Sequence, residues 1–362
     1  MQIQAAVARE VHGKLSVETV NLASPTADEV LVKLVATGVC HTDQAIIEQI
    51  MPLPLPLVLG HEGAGIVEEV GANVKGISVG DHVVLTFASC GHCHHCEDHH
   101  PSYCDHYAPL NFGTRRADGT PTITDSSGAP IGAAFFAQSS FATHALANQS
   151  NVVKVRKDAP LELLGPLGCG LSTGAGTIFN VAKPTPDSTI AIFGTGALGC
   201  AAIMAAKSLG VKRIVAVDRV ASRLELARKL GASDTIDTSK QNLAEALAAL
   251  GGLDFAMDTS GVPKLIEAAV AALKVRGTCA VLGASADSDL HLSVLPLISG
   301  RSIRGVTNGD CDPQELIPKL VDMYMAGTFP FDQLCAFYKL ADINQAFADS
   351  HSGKTIKPII RF

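Results

Sequence analysis

Residues 189–218 constrain the fold more tightly than any other stretch. Thr189–Phe193 (TIAIF) is a short apolar run that reads as a buried strand. Gly194-Thr195-Gly196-Ala197-Leu198-Gly199 follows it and opens an Ala-rich apolar helix, Ala197–Gly210, closed by Gly210. Arg213–Val217 (RIVAV) is a second strand, and it ends at Asp218, 19 residues past Gly199. This is G-x-G-x-x-G in its strand–turn–helix setting. The glycines permit a tight turn, close approach of backbone to a pyrophosphate, and close helix–strand packing, while the helix N-terminus faces the phosphates. An acid at the position of Asp218 suits the adenosine ribose hydroxyls and repels a 2′-phosphate, which favours NAD over NADP. Arg219 beside it works the other way, since an Arg can accommodate a phosphate.

The alternation continues. Ala221–Leu230 is an amphipathic helix with Gly231 as its C-cap, segments 241–250 and 262–274 read as helices, and 253–257, 279–283 and 302–306 read as strands. Strand and helix alternating over short connections means a parallel sheet covered on both faces. The first ~165 residues differ: Val-, Thr-, Gly- and Pro-rich, with short strands at 30–36, 65–70 and 82–86 and hairpin turns at Asp118-Gly119 and Ser126-Ser127-Gly128. The last ~55 residues return to a mixed pattern, Pro313–Met325 helical and Thr355–Phe362 a strand. The 362 residues therefore divide into two domains. The mostly-β one spans 1–170 and recovers 307–362; the doubly wound α/β one spans 171–306.

Composition narrows the function. At 47% hydrophobic and 17% charged residues, the chain can bury a core. A net charge of −7 lacks the basic footprint of a nucleic-acid or anionic-membrane binder. No apolar run reaches the ~20 residues that span a bilayer. Met1 to Val7 (MQIQAAV) shows neither a basic n-region nor an apolar h-region, so the expectation is a reduced, cytoplasmic chain. Its ten cysteines are then candidates for metal rather than disulfides.

Four of them, Cys90, Cys93, Cys96 and Cys104, form C-x2-C-x2-C-x7-C. Four thiolates this close suit a closed tetrahedral zinc site with a structural role. The spacing is not that of an iron–sulfur ferredoxin. A nucleic-acid-reading finger is disfavoured by Glu97, Asp98 and Asp105 with no Lys or Arg nearby. His92, His94, His95, His99, His100 and His106 surround the cysteines and read as solvated loop residues, because the thiolates already fill the shell of one zinc.

Taken one at a time, Cys40 and His61 read as structural residues. In combination, GVCHTD (38–43), GHEGAGIVEEVG (60–71), the four-cysteine lobe, LGCGLSTGAGT (167–177), GTGALG with Asp218, and SGKTIKPIIRF (352–362) resemble the zinc-dependent medium-chain alcohol dehydrogenases over essentially the whole chain. PLNFGT (109–114), FFAQSSFATHA (135–145) and PLELLGPLGCG (160–170) resemble the aryl-alcohol branch, which also includes enzymes acting on allylic alcohols such as geraniol. The resemblance implies a GroES-like catalytic domain beside a Rossmann coenzyme domain, with substrate in the cleft between them. It implies Cys40, His61 and Cys169 as ligands of a catalytic zinc, Thr42 as the hydroxyl relaying the alcohol proton, and Asp43 and Glu62 behind the ligands. It places His41 near the pyrophosphate of NAD, Thr173 near the nicotinamide, Arg223 at the adenosine ribose and Lys357 at the pyrophosphate. Gly194, Gly196, Leu198, Gly199 and Asp218 complete the coenzyme set. Zinc then acidifies the alcohol, whose carbon gives hydride to NAD⁺ and leaves as an aldehyde.

The sequence departs from well-known members of the family twice. Ala45 stands where many have a relay histidine, and His41 where they have arginine. Relatives are homodimers or homotetramers, and the same is expected here. Two rival readings are a glutathione-dependent formaldehyde dehydrogenase and a non-catalytic zinc- and NAD-binding structural protein. The apolar stretch Ile46–Leu57 argues against the first, and the presence of all three ligands against the second. That stretch and Phe135–Phe136 would flank an apolar pocket or pack in the core.

Overall fold

The computed structural model describes residues 1–283 and 289–362. They form two compact units: Met1–Gly170 with Asp312–Met325 and Phe331–Phe362, and Leu171–Cys311 with Ala326–Pro330.

The first unit is built on two sheets. The larger orders its strands Val152–Val155, His82–Leu85, Gly63–Val70, Glu29–Gly38, Lys357–Arg361, Cys335–Lys339, with His144–Asn148 also paired to Glu29–Gly38. The central strand EVLVKLVATG pairs on both sides and is buried at eight of its ten residues, so its apolar side chains serve two faces. The second sheet runs Leu57–Val58, Gln2–Ala8, Ser16–Leu22, Ile123–Thr124, Pro130–Ile131. Its last two strands are joined through the Asp125–Ala129 turn, where Asp125 Oδ1 accepts from Ser127 and Ala129 N–H. Asp118-Gly119 is a turn as expected from its residues, but no strands flank it.

The second unit holds a six-stranded, all-parallel sheet. Its order is Asp234–Asp237, Arg213–Asp218, Thr189–Phe193, Leu253–Asp258, Leu273–Val281, Ser302–Gly305. In chain order that is 3-2-1-4-5-6, the doubly wound arrangement. Thr189–Phe193 is central, and all five residues are buried.

Two boundaries move. The fifth strand begins at Leu273 rather than 279, and the preceding helix stops at Ala271. Parallel pairing of Leu253 with Leu273 draws those residues into the sheet. Residues 307–311, assigned by sequence to the first domain, lie in the second unit. There Asn180 Nδ2 donates to the carbonyls of Gly309 and Asp310. A Cβ on Gly176 would press against Gly309 O at 2.6 Å, so the two backbones touch.

Candidate active site and coenzyme loop

The central strand of the first unit delivers Cys40 to the N-terminus of the short helix His41–Ile47. Asp43, fully buried in its first turn, reaches back to accept the Cys40 N–H at 3.1 Å through Oδ2. Its Oδ1 accepts the N–H of Gly60 and bonds His61 Nδ1, each at 3.0 Å. Gly60 has φ +90, and a Cβ there would lie 2.5 Å from Phe141 N; only glycine lets the chain turn His61 inward.

This leaves His61 Nε2 buried with no hydrogen-bond partner among the described residues. An orphaned buried nitrogen on a ring whose other nitrogen is held by a carboxylate is the arrangement of a metal-ligating histidine. Cys40, His61, Glu62 and Cys169 each offer a donor atom within 4.8 Å of the others. Cys169 reaches the cluster from the end of the 3-10 turn Gly165–Gly168. Two sulfurs and one imidazole match the donors zinc prefers.

The electrostatics are tightly coupled. Cys40 is held well below the usual thiol range by its bond with Cys169 and by His61, although burial opposes this. Cys169 is raised by the same bond and by burial. Burial works against charge on His61, yet Asp43 and Cys40 outweigh it and raise its pKa. Glu62 is pushed up to about 7 by burial, against the pull of Lys357. Thr42 sits beside the sulfur, its Oγ1 3.6 Å from Cys40 Sγ.

Lys357, expected at a pyrophosphate, is buried within the first unit, its Nζ donating to Glu62 Oε1 and Oε2 at 2.9 and 3.0 Å and to Val39 O at 3.1 Å. Antiparallel pairing of Ile359 with Gly38 carries it there. Its ammonium neutralises the carboxylate behind the ligands.

Phe135 and Phe136 are core residues that also wall in His61. Phe136 stacks on the imidazole at 4.6 Å between centroids, and Phe135 meets it edge-on at 5.5 Å. Ile46, Ile47 and Leu57 lie in the same core, whereas Ile50 and Met51 are exposed. Gln138 was not singled out from sequence. It is buried, accepts the Gly63 N–H through Oε1, and donates from Nε2 to the carbonyls of His61 and Thr86. Ala45 follows Gln44, whose amide is taken by Glu48 at 2.5 Å.

The four-cysteine lobe closes as its spacing suggests. The donor atoms of Cys90, Cys93, Cys96 and Cys104 lie within 4.8 Å of one another. Backbone N–H groups point at the sulfurs: Cys90 and His106 to Cys104 Sγ, Asp105 to Cys93 Sγ. The N–H of Asp105 draws the Cys93 thiol down to about 6, whereas burial pushes Cys96 up to about 12. A divalent cation fits this set, because it favours the thiolate form of all four. Every cysteine of the chain is free of disulfide. Cys311 donates to Asn308 O, and burial pushes Cys200, Cys279 and Cys335 up to about 12.

In the second unit Gly194-Thr195-Gly196-Ala197-Leu198-Gly199 connects the central strand to the helix Ala197–Ser208. Gly194 has φ +88; a Cβ on Gly199 would collide with Gly194 O, and a Cβ on Gly196 would enter open space. That open space above a helix N-terminus is a cradle fit for a pyrophosphate. Arg223 Nε is buried without a hydrogen-bond partner among the described residues, consistent with a ligand nearby. Asp218 ends its strand as expected, but its carboxylate is engaged. Oδ2 accepts from Thr195 N and Oγ1, and Oδ1 from the N–H groups of Arg219 and Val220. Thr173 lies in helix Gly170–Gly176, its carbonyl accepting from Thr177 Oγ1. His41 is exposed at the start of its helix.

Among the described residues no helix is long and apolar enough to cross a membrane. The alcohol dehydrogenase GroES-like domain family matches residues 26–157, and the zinc-binding dehydrogenase family matches 197–325. A geraniol dehydrogenase of Castellaniella defragrans is 45% identical over 99% of this chain and 97% of its own length. The crystal structure of an alcohol dehydrogenase zinc-binding domain protein from Burkholderia ambifaria matches with a TM-score of 0.98 at 48% identity, covering 100% of this chain and 99% of that one. The benzyl alcohol dehydrogenase of Acinetobacter calcoaceticus matches at 0.96 and 44%, with the same coverage. The chain belongs to the zinc-dependent medium-chain alcohol dehydrogenase family.

Proposed function

We propose that this chain oxidises a primary aromatic or allylic alcohol to its aldehyde, reversibly, with NAD as hydride acceptor and two zinc ions per chain, one catalytic and one structural. The observation that carries the reading is the orphaned Nε2 of His61, gathered with the sulfurs of Cys40 and Cys169. The likeness to a geraniol and a benzyl alcohol dehydrogenase supports the substrate class.

Cys40, His61 and Cys169 would hold the catalytic ion, and Cys90, Cys93, Cys96 and Cys104 the structural one. Bound zinc supplies Lewis-acid polarisation of an alcohol oxygen, and NAD supplies the nicotinamide that accepts hydride. Asp43 fixes the tautomer of His61 by accepting a hydrogen bond from Nδ1–H, which leaves the Nε2 lone pair to face a metal. Lys357 holds Glu62 in place and offsets its charge. Thr42, whose Oγ1 lies 3.6 Å from Cys40 Sγ, would receive the proton that an alcohol gives up. Asp218 favours NAD over NADP by repelling a 2′-phosphate. The thiolate ligands suit a reducing, cytoplasmic setting. Self-association into a homodimer or homotetramer is supported by the second unit. Helix Val294–Ile298 exposes Leu295 at 77% and Ile298 at 75%, next to the edge strand Ser302–Gly305.

The test is a steady-state panel of benzyl, cinnamyl, allylic terpene and short aliphatic alcohols with NAD⁺ and NADP⁺. High kcat/KM for benzyl or allylic alcohols with NAD⁺ is expected. Strong preference for ethanol overturns the substrate class, and preference for NADP⁺ overturns the coenzyme. A single zinc that is lost in Cys93→Ser but kept in Cys40→Ser would overturn catalysis itself.

A further inference from the structure

The cysteine lobe carries more donor atoms than one tetrahedral ion can use. Beside the four sulfurs, a second set converges: Cys90 Sγ with one ring nitrogen each from His92 and His106, all within 4.8 Å of one another. Both histidines are exposed, and their rings lie 6.0 Å apart. His92 Nδ1 is bonded to the carbonyl of Cys90 at 2.7 Å. That bond requires Nδ1 to carry the proton, so Nε2 is left as a bare lone pair. A backbone carbonyl orienting one nitrogen so that the other faces a metal is the recurring support of a ligating imidazole.

Charge points the same way. Four thiolates outweigh one divalent ion by two negative charges. Glu97, Asp98 and Asp105 add to this on the same lobe, and no Lys or Arg lies between Cys90 and His106. The local potential therefore attracts cations. Donors that share one tetrahedral ion stand roughly 3.5 Å apart. From within 4.8 Å, the exposed imidazoles reach that spacing by a shift of roughly an ångström. The donors are one thiolate and two imidazoles, a set that selects zinc-like borderline cations and disfavours magnesium or calcium.

We propose that the lobe takes a second zinc-class cation on His92, His106 and Cys90, with the Cys90 thiolate shared between it and the four-cysteine ion. The proposal rests on the reading of that lobe as a structural zinc site. Water completes the outer shell, and the outer ion is held more weakly, because two of its three protein ligands are exposed side chains.

Metal stoichiometry on the intact protein tests it. The chain is washed with a mild chelator, titrated with zinc, and read by native mass spectrometry. Two ions should survive the wash, and a third should load on titration. In His92→Ala/His106→Ala the first two should remain and the third should fail to load. In His94→Ala/His95→Ala, which changes the neighbouring pair, all three should load. Saturation at two in the parent chain overturns the proposal. So does a third ion lost in His94→Ala/His95→Ala but kept in His92→Ala/His106→Ala, which marks adsorption to the histidine-rich surface. Failure of the underlying reading looks different: fewer than two ions survive the wash. Adding cobalt to the chelator-washed protein checks the shared thiolate. A thiolate-to-cobalt charge-transfer band should appear with the first added equivalent, the third metal ion of the chain, and be absent in His92→Ala/His106→Ala. Cobalt bound there without that band overturns the role of Cys90.

Discussion

The imidazole of His61 lies on the face of Phe136, with 4.6 Å between ring centroids and 23° between planes. The ring thus holds the histidine from above while Asp43 holds it from the side. Phe136→Leu keeps most of the volume and removes the flat face. Stability should fall by no more than about 1.5 kcal/mol, while metal at Cys40, His61 and Cys169 is lost to a chelator several-fold faster. Unchanged release kinetics would show that the ring only fills space.

Asp43 serves three donors with two oxygens. Asp43→Asn must turn an NH₂ towards at least one of them. Zinc affinity at this site should drop by about 10–100-fold, measured by competition with a chromophoric chelator, with the four-cysteine ion untouched. Equal affinity in the variant would remove Asp43 from the metal-holding apparatus.

Gly196 and Gly199 sit three residues apart and should respond in opposite ways. Gly199→Ala forces a Cβ into Gly194 O, and thermal unfolding should register it as a loss of stability. Gly196→Ala sends its Cβ into open space, so the melting temperature should hold within about a degree or two. Coenzyme affinity by calorimetry should nonetheless weaken at least tenfold. Normal NAD binding by the Gly196→Ala variant would refute the cradle.

His144 gives a pH signature away from both cysteine-containing clusters. Burial lowers its pKa, with Lys33 assisting and Glu68 at 3.3 Å opposing. A histidine that resists protonation in the folded state binds fewer protons than in the unfolded chain. Its contribution is therefore intact above the unfolded pKa and is lost as pH falls from there towards the lowered folded value. Below pH 6.5, the slope of stability against pH should be shallower in His144→Gln, by no more than one proton's worth, about 1.4 kcal/mol per unit. Parallel slopes in the two proteins would contradict the assignment.

Local patterns were legible and distant pairings were not. GTGALG announces itself because its strand, turn and helix are consecutive, and the four cysteines because they fall within 15 residues. Cys40, His61 and Cys169 have no periodic relation and became visible only through resemblance to a family. Lys357 and Glu62 are 295 residues apart, and nothing local indicates that strand Lys357–Arg361 enters the sheet beside Glu29–Gly38. Gln138 was hidden for another reason. Ala134, Phe136, Ala137 and Ser139 all have positive φ, and no glycine in 133–140 advertises a left-handed path. Such conformations cost about 1–3 kcal/mol each. They persist here because the aromatic core and the bonds of Gln138 and Ser139 hold the loop over His61.

The place of strand Lys357–Arg361 in the first unit's sheet has a consequence for biosynthesis. The ribosome makes Cys40, His61 and Cys169 early, then translates the whole Leu171–Cys311 unit before Lys357 exists. Until then Glu62 has no ammonium to answer its charge, and residues 36–38 of the central strand, which lead into Cys40, lack their partner along one edge. The second unit can fold as it emerges. The first unit must wait, half-closed, for a segment made some three hundred residues after Cys40.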